Sequence, residues 1–212
     1  MKTPASSPYI IQLNPVDCLT LSGVITSSAA MVLALKGESY LATALLFIAM
    51  LGDALDGMLA RKFKLERPFG RYLDGFMDVL IYLVAPSFLL YTHGFDGYWS
   101  VTLLVMIICG SIRLSVFNDI GNIQEETGSL AYLGMPVFWS IFLLAGFLLL
   151  DFVLPPLYLN AVMTLALLAF SRAMLLRRPF FKFKKLWHIL GITLSGVLIF
   201  TGLYFSGKIP HV

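Results

Sequence analysis

Four aspartates set the chemistry this chain can do. Asp53, Asp56, Asp74 and Asp78 lie among segments apolar enough for a bilayer, where a charged side chain costs about 2.5–3.5 kcal/mol on insertion scales and marks a functional site. On a helix, Asp53, Asp56, Gly57 and Ala60 fall at i, i+3, i+4 and i+7 and share one face. Gly70, Asp74 and Asp78 fall at i, i+4 and i+8 on the next helix. Two antiparallel helices joined through Lys62–Phe69 would aim all four carboxylates at one another, which repulsion forbids unless cations or protons neutralise them. An all-oxygen donor set suits hard cations such as Mg²⁺, Mn²⁺ or Ca²⁺ rather than zinc. Gly57, Ala60 and Gly70 carry little or no side chain, so a ligand or a partner backbone can come close. The plainer alternative is an acidic hairpin whose carboxylates pair with Arg61, Arg67 and Arg71.

The run from Asp53 to Asp78 reads D-x-x-D-G-x-x-A-R-x8-G-x-x-x-D-x-x-x-D. It resembles the signature of the CDP-alcohol phosphotransferase family at every defined position. The resemblance implies that Asp53, Asp56 and Asp74 hold two divalent cations, Mg or Mn, with Asp78 completing the metal site and acting as general base. It also implies that Asp56, Gly57, Ala60, Arg61, Gly70 and Asp74 surround the cytidine diphosphate group of a CDP-activated lipid, and that the assembly is a homodimer.

The elements that must position these residues are membrane helices. The chain has 212 residues, 58% hydrophobic and only 13% charged, with a mean hydropathy of +0.85; soluble domains carry about 25% charged residues. The fold expected is an all-α, polytopic transmembrane bundle in a single domain over 1–212. An interfacial segment (1–15) precedes about seven spans of roughly twenty residues each (16–207). The spans run Val16–Leu35, Tyr40–Arg61, Gly70–Tyr91, Tyr98–Phe117, Tyr132–Leu150, Leu157–Leu176 and Leu186–Phe205. Pro86 is expected to kink the third. Asp17 reads as a charge at a helix N-terminus, and His93 as a solvated loop histidine. Cys18 and Cys109 have neither a CxxC pattern nor a histidine partner, which argues against a disulfide or zinc role.

With the N-terminus inside, every lysine and arginine except Lys36 and Lys208 falls on the cytoplasmic side or at its boundary, as the positive-inside rule requires. The acidic motif then opens to the cytoplasm, and the family resemblance implies a bacterial or archaeal cytoplasmic membrane. The basic run Arg177–Lys185 reads first as a topology determinant and second as a site for anionic headgroups. Nothing suggests a nucleic-acid partner, because the basic residues follow loops.

The acceptor is less defined. Arg113-Leu114-Ser115-Val116-Phe117-Asn118 and Tyr132-Leu133-Gly134-Met135-Pro136 are similar to segments of the phosphatidylserine synthase branch. That likeness implies CDP-diacylglycerol as donor and L-serine as acceptor, with phosphatidylserine and CMP as products. Serine's carboxylate wants a cation such as Arg113, and Asn118 could bond its polar groups. Gly75 and Tyr82-Leu83 depart from that branch, and Tyr132–Trp139 has some likeness to phosphatidylcholine synthases. Choline, inositol or its phosphate, and glycerol phosphate therefore stay open as acceptors. From another class, an acid-lined bundle could be a cation transporter. That reading expects acids spread through the membrane depth, whereas here they gather at one end.

Overall fold

The computed structural model describes residues 9–121, 123–124, 130–180 and 186–207. Helix α1, Pro15–Leu35, starts on a capping box: the Asp17 amide donates to Asn14 Oδ1 (2.9 Å), and the Asn14 amide donates to Asp17 Oδ2 (2.8 Å). Pro15 takes the first helical position, where a missing N–H costs nothing. Helix α2, Ser39–Phe63, ends on Lys64 in the left-handed region (φ 56°). A short connection leads to α3, Pro68–Asp78, which continues through a π-helical turn, Val79–Val84, into α4, Ala85–Thr92. A 3-10 turn, Gly97–Ser100, opens α5, Val101–Ile120.

The remainder comprises α6, Trp139–Leu150; α7, Pro156–Leu175, which packs chiefly on α5; and α8, Leu186–Phe205. Three short antiparallel strands, β1 (Ile123–Gln124), β2 (Leu130–Leu133) and β3 (Pro179–Phe180), lie in the order β1-β2-β3. Tyr132 pairs with Phe180 and Leu133 with Pro179. The core between the helices is built by fully buried Leu46, Ile81, Leu83, Met106, Ile141, Leu144, Leu148 and Leu167. Helix α2 runs against both α1 and α8 and so lies within the bundle rather than at its rim.

Among the described residues, six helices are long and apolar enough to cross a membrane: Pro15–Leu35, Ser39–Phe63, Pro68–Thr92, Gly97–Ile120, Pro156–Leu175 and Trp187–Phe205. They make an integral membrane, all-helical bundle. The fifth expected span, Tyr132–Leu150, is the exception: its helix covers only Trp139–Leu150. Gly134 takes φ 73°, and a Cβ there would strike the Met174 carbonyl, so only glycine fits. Two residues on, Pro136 has no N–H to donate. The non-helical backbone is satisfied by protein instead, Gly134 N–H donating to the Arg178 carbonyl and Met135 N–H to Ala173, both at 3.0 Å. Such backbone is tolerated at membrane depth only where protein buries it. At its other end α6 reaches Asp151, which meets His93 beyond α4.

That meeting corrects the reading of His93 as a solvated loop residue. Its ring is 11% exposed, with Nδ1 2.9 Å from Ser39 Oγ and Nε2 3.1 Å from Asp151 Oδ2. One imidazole thus ties the start of α2 and the end of α6 to the end of α4.

Candidate active site

The site forms at the opposite end of the bundle, where α2 finishes and α3 begins. Helical periodicity alone puts Asp53, Asp56, Gly57 and Ala60 on one stripe of α2, and the reversal at Lys64 brings α3 back alongside. Asp53, Asp56 and Asp74 each offer a carboxylate oxygen within 4.8 Å of the others. Asp56 is buried at 3% exposure, while Asp53 and Asp74 are half-buried. Asp78 lies one turn further along α3, outside that group of three, within electrostatic reach of Asp53, Asp74 and Arg113. The three-carboxylate set fits a hard divalent cation: its donors are all oxygen, and among the described residues no lysine or arginine forms an ion pair with any of the four aspartates. The plainer hairpin of paired charges is therefore absent. Arg67 instead pairs with Asp17 and donates to the Gln12 carbonyl at 3.0 Å.

Two hydroxyls hold the carboxylates from either side. Thr20 Oγ1, on α1, lies 2.5 Å from Asp56 Oδ2, and Tyr82, in the π turn, donates to Asp53 Oδ2 at 2.7 Å. Asp17 caps α1 as expected, but it is buried and lines the site.

A cavity of about 470 Å³ opens over the cluster. Every residue expected around the nucleotide lines it: Asp56, Gly57, Ala60, Arg61, Gly70 and Asp74, joined by Asp17, Thr20, Arg67, Arg71 and Asn118. Arg61 folds back over its own helix, so that a Cβ at Gly57 would sit 3.6 Å from Arg61 Nη1. Asn118 lies on Gly75, where an added Cβ would come within 3.3 Å of Asn118 Cγ and Oδ1 and closer still to Nδ2. Asn118 is inside α5, two residues before its end.

Arg113 sits deeper and does not line the cavity. It is 5% exposed, its guanidinium carbon 5.1 Å from the Phe117 ring centroid and 5.4 Å from that of Tyr132. Its Nε and Nη2 have no hydrogen-bond partner among the described residues. Thr20, Tyr82, Tyr132 and Phe117 are site residues to which the sequence reading assigned no role. Tyr82 had a local signal, a hydroxyl four residues after Asp78 on the same helical face. The basic run continues through Lys182, Lys184 and Lys185, which lie outside the described residues, as do Glu125 and Glu126.

Such a site, three clustered carboxylates under a cavity at the end of a helical hairpin, coincides with a family assignment. Residues 13–194 match the CDP-alcohol phosphatidyltransferase model, and the chain belongs to that family. Members of the family use divalent metal. Among curated relatives, the chain is 30% identical over 131 residues to a CDP-diacylglycerol–serine O-phosphatidyltransferase of Methanocaldococcus jannaschii (62% of this chain, 58% of that protein). It is 34% identical over 131 residues to the enzyme of the same name from Bacillus subtilis (59% and 70%). It is 29% identical over 141 residues to an archaetidylserine synthase of Methanothermobacter thermautotrophicus (64% and 58%). The chain thus spans 58% of the length of two of these relatives and 70% of the third.

Proposed function

We propose that this protein transfers the phosphatidyl group of CDP-diacylglycerol to L-serine, releasing CMP and forming phosphatidylserine. The observation that carries the reaction class is the Asp53–Asp56–Asp74 cluster beneath a cavity lined by all six nucleotide-site residues of the signature. The acceptor rests on Nε and Nη2 of Arg113, which have no hydrogen-bond partner among the described residues, and on relatives named for serine.

Asp53, Asp56 and Asp74 would hold two divalent cations, Mg or Mn, with Asp78 alongside. Bound there, the metal supplies Lewis acidity to the phosphoryl oxygens and charge compensation to the leaving group. The remaining work belongs to the chain's own side chains. Arg61 lies across the cavity wall at Gly57 and adds positive charge beside the nucleotide phosphates. Arg113 takes the serine carboxylate, and Asn118 bonds its remaining polar groups. Asp78 accepts the proton of the serine hydroxyl. The freed oxygen bonds to the phosphorus nearer the lipid, the bond from that phosphorus to the CMP oxygen breaks, and CMP departs. Acyl chains remain in the bilayer throughout. The site end of the bundle carries Lys62, Arg67, Arg71, Arg172, Arg177 and Arg178, which supports a cytoplasmic opening. A homodimer is the assembly expected from the family resemblance.

The test is CMP release by purified protein supplied with CDP-diacylglycerol and Mg²⁺ or Mn²⁺. Serine, choline, inositol, inositol phosphate and glycerol phosphate are offered one at a time, with Asp78→Asn as control. Serine-dependent release that disappears in the variant is expected. Release with another alcohol would overturn the acceptor and the roles of Arg113 and Asn118 while keeping the chemistry. Absence of metal-dependent release with every acceptor would overturn the enzyme reading.

A further inference from the structure

Between α3 and α4 the helix widens for one turn. Ala85 N–H reaches the carbonyl of Leu80, five residues back, and Val79–Val84 are π-helical. Pro86 supplies a physical reason. It has no N–H for the carbonyl four residues before it, that of Tyr82, and its ring crowds that carbonyl, so the preceding turn opens. Wide turns of this kind inside α-helices concentrate at functional sites. What this one serves is shown by the side chain it carries.

Tyr82 is 3% exposed, and its phenol donates to Asp53 Oδ2 at 2.7 Å, bridging from α3's continuation to α2. A carboxylate turns easily about its terminal torsion, where wells are broad and two-fold. A hydrogen bond to Oδ2 removes that freedom and leaves the second oxygen for another partner. A neutral phenol also orients Asp53 without offering the positive charge that would compete with a cation, as a lysine or arginine would. Asp56 receives the equivalent contact from Thr20, on the other side of the cluster.

We infer that Tyr82 is a positioning residue for the metal centre: its phenol fixes the Asp53 carboxylate toward Asp56 and Asp74 and thereby sets the affinity for divalent cation. The inference rests on the metal reading given under Proposed function. Hydrogen bonds to metal-ligating groups are typically worth about 10–100-fold in affinity or activity, and Tyr82→Phe removes one oxygen while keeping the buried ring.

The experiment is a Mn²⁺ titration followed by electron paramagnetic resonance, on full-length protein in nanodiscs without lipid substrate. Wild type, Tyr82→Phe and Asp53→Asn are compared, with thermal unfolding of each measured in EDTA. Tyr82→Phe is expected to bind Mn²⁺ about 10–100-fold more weakly than wild type, and its CMP release is expected to recover toward the wild-type rate at saturating metal. A wild-type Mn²⁺ affinity in Tyr82→Phe, whether or not its unfolding temperature falls, would overturn the inference alone, because a purely structural tyrosine moves stability and not affinity. Wild-type protein that binds no Mn²⁺ would overturn the inference and the metal reading together. Should Tyr82→Phe fail to fold, Tyr82→Leu is read in the same titration against the same outcomes.

Discussion

Replacing Arg113 with methionine should separate the acceptor from the rest of the chemistry. The guanidinium is buried, its carbon 5.1 Å from the Phe117 ring centroid and 5.4 Å from that of Tyr132, and its Nε and Nη2 lack partners among the described residues. A buried polar group left unpaired costs about 1–3 kcal/mol, and a hydrogen bond to a charged partner recovers about 1.5–3 kcal/mol. A serine carboxylate arriving at those nitrogens would gain that amount, so losing them should raise the serine KM about 10–100-fold, at about 1.4 kcal/mol per factor of ten. Methionine fills similar volume without a charge, but it also removes the cation that faces Asp78 and the Phe117 and Tyr132 rings, so stability alone is not diagnostic. Arg113 is also within electrostatic reach of Asp78, so kcat can change with it, and the diagnostic quantity is the serine KM set against the KM for CDP-diacylglycerol. CMP release with each substrate varied in turn gives both. A serine KM within twofold of wild type would refute the argument and leave Arg113 as a structural residue.

Three further perturbations probe other parts of the molecule. Gly75→Ala places a methyl against the amide of Asn118, so Asn118 must swing away; serine-dependent CMP release should fall about 10–100-fold, since misplacing a positioning group by ~1 Å can cost about 100-fold, while Mn²⁺ binding stays at the wild-type level. Thr20→Val keeps the side-chain shape but removes the donor to Asp56 Oδ2, and the metal concentration for half-maximal CMP release should rise about tenfold or more. At the far end, His93→Ala leaves Asp151, 2% exposed, without its imidazole partner. Stability in denaturant titration should drop by about 1–3 kcal/mol, with kcat of the folded protein unchanged.

Much of the site was legible because helix geometry is local. The spacing of Asp53, Asp56, Gly57 and Ala60, and of Gly70, Asp74 and Asp78, needs only a repeat of about 3.6 residues to yield two functional faces. The short connection between them leaves an antiparallel return as the one compact arrangement. Length and apolarity of the segments likewise identified the spanning helices, because a bilayer penalises any charge or open backbone bond wherever the chain places it. Only tertiary structure could show that Tyr132–Leu150 begins as strand and loop. Pro136 and Gly134 interrupt the apolar pattern without breaking it, and the N–H groups of Gly134 and Met135 are satisfied by the carbonyls of Arg178 and Ala173, far along the chain.

The same limit applies to individual partners. The Tyr82–Asp53 contact spans 29 positions, and His93 reaches Ser39 and Asp151 across 54 and 58. Whether a histidine after a helix is solvated or clamped, and whether Arg113 is exposed or buried beside two aromatic rings, depends on which elements pack beside it. The sequence by itself determined which residues could act together along each helix, since backbone sterics act over a single turn. The packing of α1, α2 and the α3–α4 rod decided which oxygen faces which, since those contacts are set by the fit of whole helix surfaces far apart in the chain.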